Sequence, residues 1–89
     1  MHRSHIVIYG FVLGVGFRFA VQRAAATRGV SGWVRNRPDG AVEAVFEGEP
    51  EDVAAVVDFC RRGPRGSEVE RVDVEEELPE GLAGFRVAG

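Results

Sequence analysis

The chain has 89 residues, 45% of them hydrophobic, with 11 basic and 14 acidic side chains and a net charge of −3. That length leaves room for one small domain, residues 1–89, with a single core under two layers of structure. The acidic balance excludes bulk attraction to nucleic acid or to an anionic membrane, so an anionic ligand must be held by a local field. One cysteine excludes an internal disulfide and fits a reducing cytoplasm. No apolar run reaches the length of a membrane span, and Met1-His2-Arg3-Ser4-His5 lacks the pattern of a cleaved leader. All 11 basic residues are arginine, a bias that reads as that of the source genome.

The first strand runs from about His5 to Val12. Ile6 and Ile8 on one face, and Val7, Tyr9 and Phe11 on the other, suit a strand covered on both sides. A helix is expected from about Phe17 to Arg28, with Phe17, Val21, Ala24 and Ala25 on one stripe and Gly29 just past its end. Ser31 to Arg37 and Ala41 to Glu47 read as a hairpin joined by the turn residues Pro38-Asp39-Gly40. In its second arm Val42, Ala44 and Phe46 alternate with Glu43, Val45 and Glu47.

The second helix opens at Pro50, with Glu51 and Asp52 in its first turn, and carries the stripe Val53, Val56, Val57 and Cys60. Arg61, Arg62, Gly63 and Pro64 end it. Val69 to Glu77 reads as a strand with Val72 and Val74 on one face, and Glu75-Glu76-Glu77 as its solvated end. Leu78-Pro79-Glu80-Gly81 breaks the pattern, and Phe85 to Ala88 forms a short last strand. Strand–helix–strand occurs twice, so the α+β class is a ferredoxin-like βαββαβ sandwich.

Between the first strand and first helix lies Val12-Leu13-Gly14-Val15-Gly16-Phe17-Arg18. The amides of a helix start have no intrahelical partner and the dipole there is positive. Glycines let consecutive N–H groups turn inward, which makes an anion nest. Arg18 adds a planar fork that matches phosphate oxygens. As a cation at a helix N-terminus it opposes the dipole, which calls for an anion. The glycine spacing fits neither the dinucleotide fingerprint nor a Walker A loop. By spacing alone a plain turn, with glycines for geometry and an arginine for solubility, fits equally well. Asn36, next to the hairpin turn, reads on its own as an ordinary strand-end amide.

Gly10-Phe11-Val12-Leu13-Gly14-Val15-Gly16-Phe17-Arg18, followed by Gly32-Trp33-Val34-Arg35-Asn36-Arg37-Pro38-Asp39-Gly40-Ala41-Val42-Glu43, resembles the two signature blocks of the acylphosphatase family. The resemblance extends over essentially the whole chain. It implies a sheet ordered 4-1-3-2, antiparallel, with a short extra edge strand and two helices on one face. It also implies hydrolysis of the carboxyl–phosphate bond of small acyl phosphates. Arg18 would clamp the phosphoryl group with the main-chain amides of Leu13, Gly14, Val15, Gly16, Phe17 and Arg18. Asn36 would orient the attacking water. The family usually has Gln where this chain has Leu13, a change that a loop working through its backbone tolerates.

The chemistry fits this small set of groups. An acyl phosphate is an activated anhydride whose leaving carboxylate has a reference pKa of about 4, so no general acid is needed. Positioning and electrostatics carry the rest. No cofactor and no metal are expected, since His2 and His5 lie near the terminus and no cluster has ligand spacing. Cys60 lies on a core stripe, so no covalent phosphoenzyme is expected. Trp33 reads as packed on a sheet face, Arg35 and Arg37 as solvated hairpin charges, and Arg61, Arg62 and Arg65 as helix-end and loop charges. The expected partner is a small acyl phosphate bound by a cytoplasmic monomer, without nucleic acid or membrane. Two other readings are a non-catalytic phosphate- or carbamoyl-phosphate-binding domain and an RNA-binding domain of the same topology. Against the second, Gly16-Phe17-Arg18-Phe19 follows the first strand and is not on the third.

Overall fold

The computed structural model describes residues 1–89. The elements in chain order are β1 (His2–Phe11), α1 (Phe17–Thr27), β2 (Ser31–Asn36), β3 (Val42–Gly48), α2 (Pro50–Arg62), β4 (Glu68–Glu77) and β5 (Phe85–Ala88). They form one five-stranded sheet in the order β4-β1-β3-β2-β5. The four long strands pair antiparallel, as expected, and β5 adds to the β2 edge in parallel, so the sheet is mixed. No helix is long and apolar enough to cross a membrane.

Both helices pack on one face, over a core that holds Ile6 and Ile8 of β1, Val34 of β2, and Val42, Ala44 and Phe46 of β3. From α2 the whole expected stripe Val53, Val56, Val57 and Cys60 is buried. From α1 the buried set is Phe17, Ala20, Val21 and Ala25, so Ala20 takes the place assigned to Ala24, which is half-buried. The helix therefore sits rotated toward its i+3 neighbour of Phe17. Glu51 and Asp52 fill the first turn of α2 and Arg61 and Arg62 its last, in the sense the dipole favours.

The opposite face corrects the reading of β3. Glu47 lies on the alternate face from Phe46, as the pattern requires, yet it is 1% exposed. Residues 78–84 carry the chain from one sheet edge to the other and cross over it. The amides of Glu80, Gly81 and Leu82 donate to its carboxylate at 2.8–3.0 Å, and Arg3 Nη1 donates at 2.7 Å. Burial disfavours the charge, but the main-chain donor at Glu80, the Arg3 guanidinium and the other two amides outweigh it and hold the carboxyl at about 2.

Glu77 is also more than a solvated strand end. It accepts from Arg3 Nε at 2.8 Å and lies 2.8 Å from His5 Nδ1. The other ring nitrogen of His5 lies 2.6 Å from Glu43, and Trp33 meets the ring edge-on at 5.9 Å. Glu75 and Glu76 are exposed, as read. Arg35 and Arg37 are ion-paired within the hairpin, with Glu43 at 2.6 Å and Asp39 at 2.9 Å. The antiparallel register brings Glu43 opposite Arg35, which the spacing of single residues does not reveal, whereas Asp39 reaches Arg37 from two positions on in the turn.

Candidate active site

The cross-strand register aligns one end of the sheet. Phe11 ends β1, Asn36 ends β2, and Ala88 ends β5 beside Arg35. α1 begins at that same end, with five residues between it and β1. The loop between them bends continuously through Leu13–Gly16. Gly14 and Gly16 have φ of 74° and 73°, the left-handed region. A Cβ at either would meet nothing within 4 Å, so glycine is favoured there by backbone conformation and not by crowding.

Gly16 is the N-cap of α1 and supplies no side-chain cap. Its carbonyl accepts from Ala20 at 3.0 Å, which closes the first helical turn. The amides within that turn have no intrahelical acceptor. Nor is there an acidic residue in the turn, in contrast to α2, which has two. The start of α1 thus keeps its positive end uncompensated by protein charge.

A cavity of about 110 Å³ opens here, lined by Val12, Gly14, Gly16, Phe17, Arg18, Phe19 and Asn36. Arg18 and Asn36 share it although they stand on different elements. Alternation along β2 explains the placement of Asn36. Gly32 and Val34 face the helical layer and are buried, and Asn36, two residues on, continues that face to the edge of the core. The Arg18 guanidinium is held from the far end of the chain: Nη1 donates to the main-chain oxygens of Gly89 at 3.0 Å and Ala88 at 3.4 Å. Its Cζ lies 5.8 Å from the centroid of the Phe19 ring.

Of the six residues whose amides were expected at the site, Gly14, Gly16, Phe17 and Arg18 line the cavity. Leu13 is 37% exposed and Val15 packs against the core, and neither is among the residues lining the cavity. Sequence reasoning missed Val12 and Phe19 as lining residues, and the Gly89 contact. Phe19 had a signal, as an aromatic off the apolar stripe of its helix. The Gly89 contact had none, because it depends on β5 joining the β2 edge in parallel. Cys60 is fully buried on α2, and burial pushes its thiol up to about 12, so it is not a nucleophile. The larger hollows lie elsewhere, between the helices, beside each helix along the sheet and on the outer sheet face, and none of them contains Asn36 or Arg18.

A small cavity at a helix start, lined by a guanidinium and a carboxamide on a ferredoxin-like sandwich, has the chemistry of a site for a small tetrahedral oxyanion. Comparison with known proteins makes this specific. The acylphosphatase family model matches residues 4–87. The chain is 55% identical to the acylphosphatase of Thermococcus kodakarensis over 98% of its own length and 96% of that protein's. Its fold is similar to the crystal structure of the Bacillus subtilis acylphosphatase, with a TM-score of 0.97, 37% identity and full coverage of both chains. It is also similar to part of full-length HypF in a phosphate- and nucleotide-bound form, at a TM-score of 0.92 and 28% identity, but over only 12% of that chain. The chain belongs to the acylphosphatase family.

Proposed function

We propose that the protein is a hydrolase acting on acid anhydrides, which cleaves small acyl phosphates to carboxylate and inorganic phosphate. The observation that carries this reading is the shared cavity: Arg18, the αL glycine loop and Asn36 converge on one space of about 110 Å³. The full-length match to free-standing acylphosphatases favours this over a non-catalytic binding domain.

In the proposed reaction the loop amides from Leu13 to Arg18 and the Arg18 guanidinium hold the phosphoryl oxygens. Asn36 orients a water in line with the bond to the acyl oxygen. The water oxygen bonds to phosphorus as the bond from phosphorus to the acyl oxygen breaks. The carboxylate leaves with the electron pair, and both water protons end on phosphate. Because that leaving group is stable as an anion, no protein acid has to protonate it. These groups suffice without a metal or cofactor. The buried, unpaired Cys60 suits a reducing compartment, and the reading takes residues 1–89 as one domain working as a cytoplasmic monomer.

The test is phosphate release from benzoyl and acetyl phosphate with chelator present. Wild type should turn over both. Arg18→Ala should lose phosphate binding and activity together. Asn36→Ala should lose about 10²–10³-fold in kcat, the scale of losing one positioned polar group, while inorganic phosphate still inhibits. Full activity in both variants would reject the assignment.

A further inference from the structure

We infer that the mouth of the cup selects acyl phosphates with an apolar acyl chain, and that Phe19 and Leu13 form the surface that does so. This inference rests on the reaction proposed above and concerns the part of the substrate that the cup does not hold. A cavity of about 110 Å³ takes a phosphoryl group and a water, so the acyl chain has to leave through the mouth and lie along the protein surface.

The loop that forms the cup and its flanks carry exposed apolar side chains. Six large apolar side chains in the protein are exposed, and three of them, Phe11, Leu13 and Phe19, fall in the loop and its immediate flanks. Phe19 itself lines the cavity while remaining 53% exposed, so it stands at the boundary between cup and solvent. Exposed apolar surface clustered beside a polar cup is the expected signature of a site for an amphipathic ligand. Arg18 is the only cation among the residues lining the cavity. Its guanidinium is already engaged by the main-chain oxygens of Ala88 and Gly89. The two guanidiniums that flank Asn36 in sequence are neutralised inside the hairpin, Arg35 by Glu43 at 2.6 Å and Arg37 by Asp39 at 2.9 Å. A second carboxylate on the acyl chain would lose water there and gain no partner.

The inference is tested with acetyl, butyryl and hexanoyl phosphate, which share an alkanoic carboxylate as leaving group and differ in chain length. Succinyl phosphate serves as the charged counterpart of butyryl phosphate. Full burial is worth about fourfold per methylene, so a half-exposed rim should raise kcat/KM about tenfold from acetyl to hexanoyl. Succinyl phosphate should fall about tenfold below butyryl phosphate, the scale of one unpaired charge at a partly wet surface. Phe19→Ser and, separately, Leu13→Gln should flatten the chain-length series, and Phe19→Leu should restore it. Equal kcat/KM across the wild-type series, or an unchanged slope in both polar variants, overturns the inference while leaving the hydrolytic reading standing. No phosphate release from any of the four substrates overturns both.

Discussion

Arg18 Nη1 donates to the main-chain oxygen of Gly89 at 3.0 Å, joining the first turn of α1 to a residue 71 positions further along. A long guanidinium side chain loses rotamer freedom when it grips a ligand, and a contact that already restrains it reduces that loss. Deleting Gly89 should therefore weaken inhibition by inorganic phosphate about fivefold, the scale of one charge-assisted hydrogen bond. β5 should survive, because its pairing with β2 runs from Phe85 to Ala88 and does not include Gly89. Phosphate inhibition constants with unchanged circular dichroism are the measurement. An unaltered constant removes the restraint from the account.

The two glycines of the cup give a prediction in which space and backbone conformation separate. At Gly14 and Gly16 there is room for a side chain but φ is 74° and 73°. Alanine at either position should cost about 1–2 kcal/mol in urea unfolding, the strain of an L-residue in that region. Asparagine, which tolerates the left-handed region, should cost less. Equal losses for Ala and Asn would point to packing as the cause and contradict the open space around both.

Glu47 should be the most costly charged residue to replace. Its carboxylate accepts four hydrogen bonds within the protein, three of them from the crossing segment 78–84. Glu47→Ala leaves those amides and one side of Arg3 without an acceptor, at a cost of about 3 kcal/mol. The segment should then become open to limited proteolysis before the sheet unfolds. The pH dependence follows from a folded value of about 2 against an ordinary 4.5. Because the folded value is depressed, the contribution is fully present above the ordinary value and is lost as pH falls toward 2. Acid titration should show a smaller loss in Glu47→Gln than in wild type, the remainder coming from Glu43 and Glu77, which are also depressed.

His5 has the opposite sign. Burial alone lowers its pKa, but the Glu77 and Glu43 carboxylates outweigh burial and raise it above the ordinary 6.5. A neutral ring has one N–H, and both nitrogens face carboxylates at 2.8 and 2.6 Å, so only the imidazolium satisfies both. The raised value means that this stability is fully present below 6.5 and is lost as pH rises through the folded pKa. Arg3 and Arg35 bind the same two carboxylates and limit the effect. His5→Gln should remove a fall in stability that sets in as pH rises above 6.5. An NMR titration placing His5 below 6.5 would show that burial dominates instead.

Much of this protein was legible in one dimension. Both helices, the hairpin and the order of the elements follow from periodicity and turn residues, because a stripe at 3.6 or an alternation at 2 is a property of neighbours in sequence. The Val53-Val56-Val57-Cys60 stripe and the glycine loop before Arg18 are of this kind. Glu47 shows the limit: alternation assigned its face correctly, but whether that face meets water depends on a segment 33 residues away.

The residues from Gly10 to Arg18 by themselves determined that a flexible, N–H-rich bend would precede a helix whose first turn has a cation and no acid. Only the tertiary structure decided that Asn36 would open onto the same space and that Gly89 would restrain the arginine. Local backbone preference acts between neighbours, whereas the meeting of strand ends is set by sheet register, which is a property of the whole chain.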